Sequence, residues 1–442
     1  MAYTSGVVFE VRSTGSANNG GLFNPAASGT DYSQQDTAQY SLTGLTSSGA
    51  GAVILTASAA ADMVGNGLRV TGGTNFTAGL YEITSVSVGV SITVDRNCTT
   101  AAGAAGTCEI GGGLANLTDL PSTNLGAQWS IWVKYGTYTV TTATQLGTAS
   151  GSGVGRVIGY NSTRGDLNDA TFTNRPTITC ATNSINLFNL TSAVSRVIVS
   201  NFIMSHTAAT RGQVFNNSQT IGVLWVENCT FTGFSTLYGA SSGSVNLWLF
   251  RCELDSFTGV GVSGGSSRIV DLFMFYCYVH DCGSHGVDKS SASQGAIYIQ
   301  TCIFDTNAGH GVFVAPNGTN NMLPCVVRDS VFYNSTNDGF RNSAAASTQN
   351  LFDFYNNIFY GNGGYGINFV NTISSLAVLH GGYNAFGSNT SGARNTIGAF
   401  TGAVTLTADP FTNSAAGDFT LNSTAGGGAA CQDAGYPASS LP

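Results

Sequence analysis

Hydrophobic and polar residues alternate over short stretches through most of the chain, and from about residue 197 the alternation repeats with a period of 22 to 28 residues. Each repeat combines a short alternating strand, a polar kink, a second short strand and a glycine-rich turn. Repeats of this length without a helical pattern are typical of a solenoid whose turns stack about 4.8 Å apart. We therefore predict an all-β chain that forms a right-handed parallel β-helix of about 10 to 11 turns.

Two columns of equivalent residues fix the register of the repeats. The first contains Cys229, Cys252, Cys277, Cys302, Ser330, Asn357 and Asn384, and the second contains Gly239, Gly261, Gly286, Gly311, Gly339 and Gly366. We expect the four cysteines to be buried thiols inside the coil, because a linear stack of side chains cannot surround a metal ion tetrahedrally. We expect the glycine column to mark a turn that needs a positive φ in every repeat.

Residues 1–118 lack this repeat pattern. Their strand-like runs at 51–57, 67–70, 80–88 and 90–95 predict a small β domain that caps the N-terminal end of the β-helix. We place the β-helix at residues 119–424 and a C-terminal tail at 425–442. Cys98 and Cys108 flank a predicted hairpin tip, and either a disulfide or two free thiols would fit there.

The low content of charged residues narrows the possible partners. Only 9% of the residues are charged, the formal net charge is −8, and Lys134 and Lys289 are the only lysines. Because nucleic-acid binding needs clustered basic residues, we expect no nucleic-acid partner. No apolar run approaches the roughly 20 residues that span a bilayer, so we expect no membrane partner. The first residues lack the pattern of a secretory signal peptide, so an extracellular or virion location would require lysis or a dedicated export apparatus.

Several segments carry a resemblance to known proteins. Trp132–Tyr138 resembles the opening turn of pectate-lyase-like right-handed β-helix proteins, and Ala408–Phe411 with Gly417–Leu421 resembles their closing turn. The resemblance covers about residues 130–435 and implies the fold, but the superfamily includes lyases, hydrolases, epimerases, tailspikes and adhesins. Val64–Val70 and Ala78–Thr84 resemble sequences that precede such β-helices in tailed-phage proteins, which favours a virion-associated protein.

Carboxylates and a histidine recur at one position of the second strand. The third residue after the cysteine column is Asp255, His280 and Asp305 in three successive repeats, so the three should stack on one outer face, about 10 Å from end to end. Asp255 and Asp305 could serve as an acid–base pair of an inverting glycosidase, or could bind a cation together with His280. The alternative is that these residues only satisfy backbone groups of the turns.

A further set of residues is predicted to bind a glycan on the same face. Three residues that precede a turn glycine are polar, and the tyrosines that follow buried phenylalanines should point outward, where their rings could stack on sugars. The predicted binding residues are His285, His310, Asp338, Tyr333, Tyr360 and Tyr365. No motif for a phosphate-binding loop, a nucleophile elbow or a zinc site occurs, so we predict neither a cofactor nor a metal.

These observations leave three functions open. The first is a virion-associated or released protein of tailspike type that binds surface polysaccharide, as a homotrimer. The second is a polysaccharide-cleaving enzyme, either a hydrolase or a lyase, that uses Asp255, His280 and Asp305 on the same face. A lyase would need several stacked acidic ligands and a basic residue nearby, and this pattern is missing. The third is a structural component of a capsid or filament.

Overall fold

The computed structural model describes residues 3–121, 125, 127–147, 153–166, 173–191, 194–217, 219–240, 244–264, 268–290, 295–315, 324–343, 351–371, 378–432 and 434–435. The chain divides into two compact units, residues 1–208 with 218–222 and residues 209–217 with 223–442. None of the helices in the described ranges is long and apolar enough to cross a membrane. Of the predicted C-terminal tail at 425–442, residue 433 and residues 436–442 lie outside the described residues.

A small β barrel occupies the N-terminal part of the first unit, as predicted. Its six antiparallel strands are Tyr40–Ser47, Val53–Leu55, Gly67–Phe76, Gly79–Ser87, Ser91–Val94 and Thr99–Ile110, with a short 3-10 helix at Ala61–Met63. Ile54, Leu68 and Ile92 are fully buried in its core. Cys98 and Cys108 lie in the same core as two free thiols, so of the two alternatives left open by the sequence the structure has no disulfide between them.

The first unit also contains parallel strands of the solenoid. Val7–Val11 pairs parallel with Gln128–Lys134, which pairs parallel with Val154–Tyr160. The first strand therefore extends the parallel ladder, although it lies within the range predicted as the cap. The remaining elements of this unit are Leu22–Phe23, Leu117–Asp119 (a 3-10 helix), Thr137–Val140, Thr144–Leu146, Thr177–Cys180, Phe188–Leu190 and Val194–His206.

The second unit consists of three ladders of short parallel strands, and each turn contributes one strand to each ladder. The first ladder contains Ser244–Phe250, Arg268–Phe275, Ile297–Gln300, Cys325–Arg328, Leu351–Tyr355 and Val378–Gly382. The second ladder contains Glu253–Asp255, Tyr278–His280, Ile303–Asp305, Val331–Tyr333, Ile358–Tyr360, Ala385–Gly387 and Val404–Leu406. The third ladder contains Val262–Ser263, Val287–Lys289, Val312–Val314, Phe340–Asn342, Tyr365–Phe369 and Gly392–Asn395. Ile221–Thr232 extends the first and second ladders, and Phe215–Asn217 pairs parallel with Tyr238–Ala240.

The predicted all-β parallel β-helix is therefore confirmed, with about 8 turns rather than 10 to 11. One reason for the smaller number lies at the C-terminal end, where the chain leaves the parallel ladder after Leu406. Phe411–Asn413 pairs antiparallel with Asp418–Leu421 across a 3-10 turn at Ser414–Ala416. We call residues 411–421 the C-terminal hairpin. A short helix follows at Gly428–Cys431.

The glycines of the second column are explained by close contacts between turns and not by the predicted backbone conformation. None of its six glycines has a positive φ. Instead, a Cβ at Gly286 would lie 2.7 Å from the carbonyl oxygen of Gly311, and a Cβ at Gly311 would lie 2.6 Å from that of Gly339. The turns approach too closely for any side chain, so the prediction of a left-handed turn at this column is wrong.

Positive φ values occur instead at two kinks of the turns, and the residues that adopt them there are mostly not glycines. The kink before the cysteine column includes Arg251, Tyr276, Thr301, Asp329, Asn356 and Tyr383, and the kink after the second strand includes Ser256, Asp281, Thr306, Asn334 and Ser388. Such a conformation costs an L-residue about 1–2 kcal/mol, and the ladders on either side must offset it.

The predicted column of cysteines is confirmed as a row of buried free thiols. The Sγ of Cys277 donates a hydrogen bond to the carbonyl oxygen of Phe275, two residues earlier, at 3.4 Å. The Oγ of Ser330 makes the same bond to Arg328 at 2.7 Å. The asparagines that continue the column link neighbouring turns, because Asn357 Oδ1 accepts the backbone N–H of Ser330 at 3.0 Å.

Aromatic rings form two parallel rows in the second unit. The buried row contains Phe304, Phe332, Phe359 and Phe386, as predicted for the last three. The second row lies on the outer side of the first ladder, and its members are only partly buried. It contains Trp225, Trp248, Phe273 and Tyr298, with ring centroids 5.4, 3.9 and 5.1 Å apart.

Candidate functional site

Asp255, His280 and Asp305 occupy equivalent positions on three neighbouring strands of the second ladder. Asp255 pairs in register with His280, and His280 pairs with Asp305. Leu254 and Val279, which directly precede Asp255 and His280 in their strands, are fully buried. Because successive residues of a strand point to opposite faces, the three polar side chains lie on the outer face, as their spacing predicts.

His280 lies among carboxylates on this face. Its Nδ1 is 2.8 Å from Asp281 Oδ2 and 3.6 Å from Asp255 Oδ1, and its Nε2 is 3.4 Å from Glu253 Oε1. Burial lowers the pKa of the ring, but the hydrogen bonds with Glu253 and Asp281 outweigh it and raise the pKa to about 9. At neutral pH the ring is therefore an imidazolium that donates hydrogen bonds from both nitrogens.

Asp305 differs from the other carboxylates because it is buried, with only 7% of its surface exposed. Burial raises its pKa, although Thr306 and Tyr278 oppose the shift by donating hydrogen bonds. The Tyr278 hydroxyl lies 3.0 Å from Asp305 Oδ2, and its ring stacks on the His280 ring with centroids 4.0 Å apart. Tyr278 thus links the buried carboxyl group to the charged histidine.

A cleft of about 620 Å³ opens beside these residues. One wall consists of outward residues of the second ladder, and the other is the turn of the C-terminal hairpin. The lining residues are Tyr278, His280, Asp281, Asp305, Thr306, Tyr333, Asn334, Ser414, Ala415, Ala416 and Gly417. The Tyr333 hydroxyl donates a hydrogen bond to Asp409 Oδ2 at 3.1 Å and accepts one from Ser414 Oγ at 2.8 Å, which holds the hairpin against the ladder.

The structure places His285, His310 and Asp338 in a different cluster from His280. The His310 backbone N–H donates to His285 Nδ1 at 2.9 Å, and the Asp338 N–H donates to His310 Nδ1 at 3.0 Å. Burial lowers the pKa of His310 to about 4, so its ring is neutral. Asp338 Oδ1 in turn accepts the backbone N–H of Tyr365 at 2.7 Å. In the described chain these side chains satisfy backbone groups of the neighbouring turn, which is the alternative explanation that the sequence left open.

The three predicted tyrosines also separate. Tyr333 lines the cleft, and Tyr360 stacks on it with ring centroids 6.0 Å apart. Tyr365 begins a strand of the third ladder and is not among the residues that line the cleft. Tyr278, Glu253 and the hairpin belong to the site although they were not predicted from the sequence. Tyr278 and Glu253 each lie two residues before a predicted site residue, so the strand period of two places them on the same face.

Asp255, His280 and Asp281 are the described residues that could hold a metal ion, since their ligand atoms lie within 4.8 Å of one another. A metal would have to displace the proton that His280 Nδ1 shares with Asp281. The raised pKa of His280 therefore opposes metal binding at neutral pH.

No protein-family model matches the chain, and no curated protein matches it. Among solved structures, the chain is similar to the catalytic domain of a GH87 α-1,3-glucanase in complex with nigerose (9% identity, 84% of this chain and 90% of that chain, TM-score 0.36). It is also similar to the catalytic unit of a thermostable GH87 α-1,3-glucanase from Streptomyces thermodiastaticus strain HF3-3 (10%, 84% and 86%, 0.36). A third similar structure is the tailspike protein gp49 from Pseudomonas phage LKA1 (11%, 83% and 66%, 0.17). At such identities and TM-scores, these similarities carry no argument about the function of this chain.

Proposed function

We propose that the second unit binds a polysaccharide in the cleft between the second ladder and the C-terminal hairpin. The observation that carries this proposal is the lining of the cleft, which combines carboxylates and hydroxyl groups with the rings of Tyr278 and Tyr333. Hydrogen-bonding groups and aromatic surfaces together match the polar edges and apolar faces of sugar rings. The virion-associated or released setting and the homotrimer, both expected from the sequence, belong to this proposal.

A glycan array with the full chain tests the proposal. We expect binding to at least one class of glycan, and Tyr333→Ala should weaken it because this change removes both an aromatic wall and the anchor of the hairpin. Tyr298→Ala, which shortens the outer aromatic row on the first ladder, is the matched control and should leave binding unchanged. An array without any bound glycan would refute the proposal.

Hydrolysis of the bound glycan is a second candidate, favoured by the environment of Asp305. A buried carboxyl group with a raised pKa suits a general acid, and Asp281 supplies a second carboxylate on the same cleft. Asp255 lies against His280 and is not among the lining residues, so its role as the second catalytic group loses support. Release of reducing ends from a bound polysaccharide, abolished in Asp305→Asn, is the expected result; release that persists in this variant would exclude Asp305 as the acid.

A further inference from the structure

Acidic side chains outnumber basic ones at the cleft. Asp281 and Asp305 line it, and Glu253 and Asp255 lie against His280 at its edge. His280 is the one cationic side chain among the described lining residues, which include neither lysine nor arginine. Three carboxylates that are at least partly exposed, those of Glu253, Asp255 and Asp281, thus face one imidazolium, and the buried Asp305 is a further acidic group. The surplus of negative charge acts on any ligand that enters the cleft.

The carboxylates are not equally available to a ligand. Asp305 is buried and accepts hydrogen bonds from Tyr278 and Thr306, and Asp255 is 27% exposed beside His280. Glu253 is 42% exposed but does not line the cleft. Asp281 does line it, and 52% of its side chain is exposed although one oxygen contacts His280. Its accessible carboxylate is the group that an incoming cation would meet first.

The aromatic part of the lining favours the same kind of ligand. The rings of Tyr278 and Tyr333 border the cleft near Asp281 and Asp305. Ammonium groups are attracted to aromatic faces and to carboxylates alike, and the two contacts together are a recurrent way of recognising amines. A uronic acid unit, by contrast, would bring a carboxylate towards the other acidic groups, and the described lining has no lysine or arginine to compensate it.

We propose that the cleft selects glycans that carry protonated amines, such as chains of 2-amino-2-deoxy sugars, over acidic glycans. This inference rests on the proposed glycan-binding function and specifies its ligand class. An ammonium group on the sugar pairs with Asp281, and the sugar ring lies against the tyrosines. Neutral glycans of the same shape bind more weakly, since they form only the contacts with the hydroxyl groups and rings.

Calorimetric titration of the full chain at pH 6 with three hexasaccharides tests the inference. The probes are glucosamine, N-acetylglucosamine and galacturonic acid hexamers. We expect the glucosamine hexamer to bind about two- to fivefold more tightly than its acetylated form, as one exposed charge pair allows, and the advantage to shrink with added salt. Equal or tighter binding of the galacturonic acid hexamer would overturn the inference but support glycan binding. If no hexamer binds and the glycan array is also empty, both proposals are refuted.

Two single-charge variants identify the responsible group. Asp281→Asn should remove most of the preference for the amine-bearing hexamer, because it deletes the exposed carboxylate of the cleft. Asp329→Asn makes the same change at the kink before the cysteine column. Asp329 does not line the cleft, so this variant should preserve the preference. Both positions have a positive φ, which asparagine tolerates, so both variants should fold. An unchanged preference in Asp281→Asn would overturn the assignment to this carboxylate.

Discussion

His280 shows how neighbouring groups can reverse the effect of burial on a titratable side chain. A half-buried imidazole alone would lose its charge, because desolvation penalises the cation. Here Glu253 and Asp281 accept hydrogen bonds from its two nitrogens, and Asp255 adds a third negative charge. These carboxylates also depend on the histidine, since without it they would face one another across the same strand edge.

We predict that His280 titrates near pH 9 in the folded chain and not near its ordinary value of about 6.5. Its pKa is raised on folding, so its contribution to stability is fully present below about pH 6.5 and is lost as the pH rises through 9. The contribution is on the order of 3 kcal/mol. Chemical shifts of the imidazole protons measure the pKa, and urea unfolding at pH 6.5 and 9.5 measures the loss.

His280→Gln provides the control for this prediction. Its free energy of unfolding should change less between the two pH values than that of the natural chain, since glutamine has no proton to lose. His285→Gln should retain the full pH dependence above pH 6.5, because burial lowers the pKa of His285 and keeps its ring neutral there. A wild-type titration midpoint near 6.5 would contradict the prediction.

At the scale of the elements, hydrogen bonds between equivalent side chains of successive turns hold the ladders in register. Asn357 is fully buried; its Nδ2 donates to the carbonyl oxygen of Val327 at 2.8 Å and to Asn384 Oδ1 at 3.0 Å. Its Oδ1 accepts the N–H of Ser330. One side chain thus bonds to backbone groups of the preceding turn and to a side chain of the following turn.

We predict that Asn357→Leu lowers the free energy of unfolding by about 2–4 kcal/mol, because the backbone N–H of Ser330 and the carbonyl oxygen of Val327 lose their buried side-chain partner. Asn357→Ser should cost less, about 1 kcal/mol, since serine already occupies this column at Ser330 and bonds to its own chain. Urea denaturation of the two variants measures the difference. Equal losses would mean that the hydrogen bonds of the column contribute little.

The kinks store strain that can be relieved. Thr301 is an exposed, β-branched residue at φ 54°, and its backbone N–H donates to the carbonyl oxygen of Arg328 at 3.1 Å. Thr301→Asn should raise the free energy of unfolding by about 0.5–1 kcal/mol, because asparagine adopts this conformation more readily and the backbone bond remains. Thr258→Asn, at an exposed position without a positive φ, should give no gain in the same urea titration. A loss in Thr301→Asn would indicate that the threonine side chain has an unrecognised contact.

At the scale of the whole molecule, the parts that the sequence predicted are those that repeat. The spacing of Cys252, Cys277 and Cys302 was sufficient to place Asp255, His280 and Asp305 on successive strands, because each turn fixes the position of the next. The pairing of Val7–Val11 with Gln128–Lys134 could not be predicted in this way, since about 120 residues separate strands that have the same alternation as many others.

The cleft was less predictable than the ladder. One wall comes from the C-terminal hairpin, whose segment at 411–421 resembles a further turn of the solenoid in sequence but pairs antiparallel. The histidines and the aspartate before the turn glycines, predicted to bind a glycan, have a structural role that their spacing did not reveal. His310 and Asp338 accept hydrogen bonds from nearby backbone and side-chain groups, and the spacing of residues along the chain does not reveal such bonds.

The asparagine bridges have a consequence for how such a chain can change in length over generations. Asn357 bonds to Asn384, and Asn362 bonds to Asn389, each 27 residues later. Duplication or loss of a 27-residue block in this part of the gene would exchange each bridge for an equivalent one, whereas a block of another length would misplace both. Unequal recombination between neighbouring copies could therefore add or remove whole turns while insertions of a few residues within a strand are purged. In this part of the chain the number of turns can then change in steps of 27 residues, whereas the earlier turns, without these asparagine bridges, have other lengths.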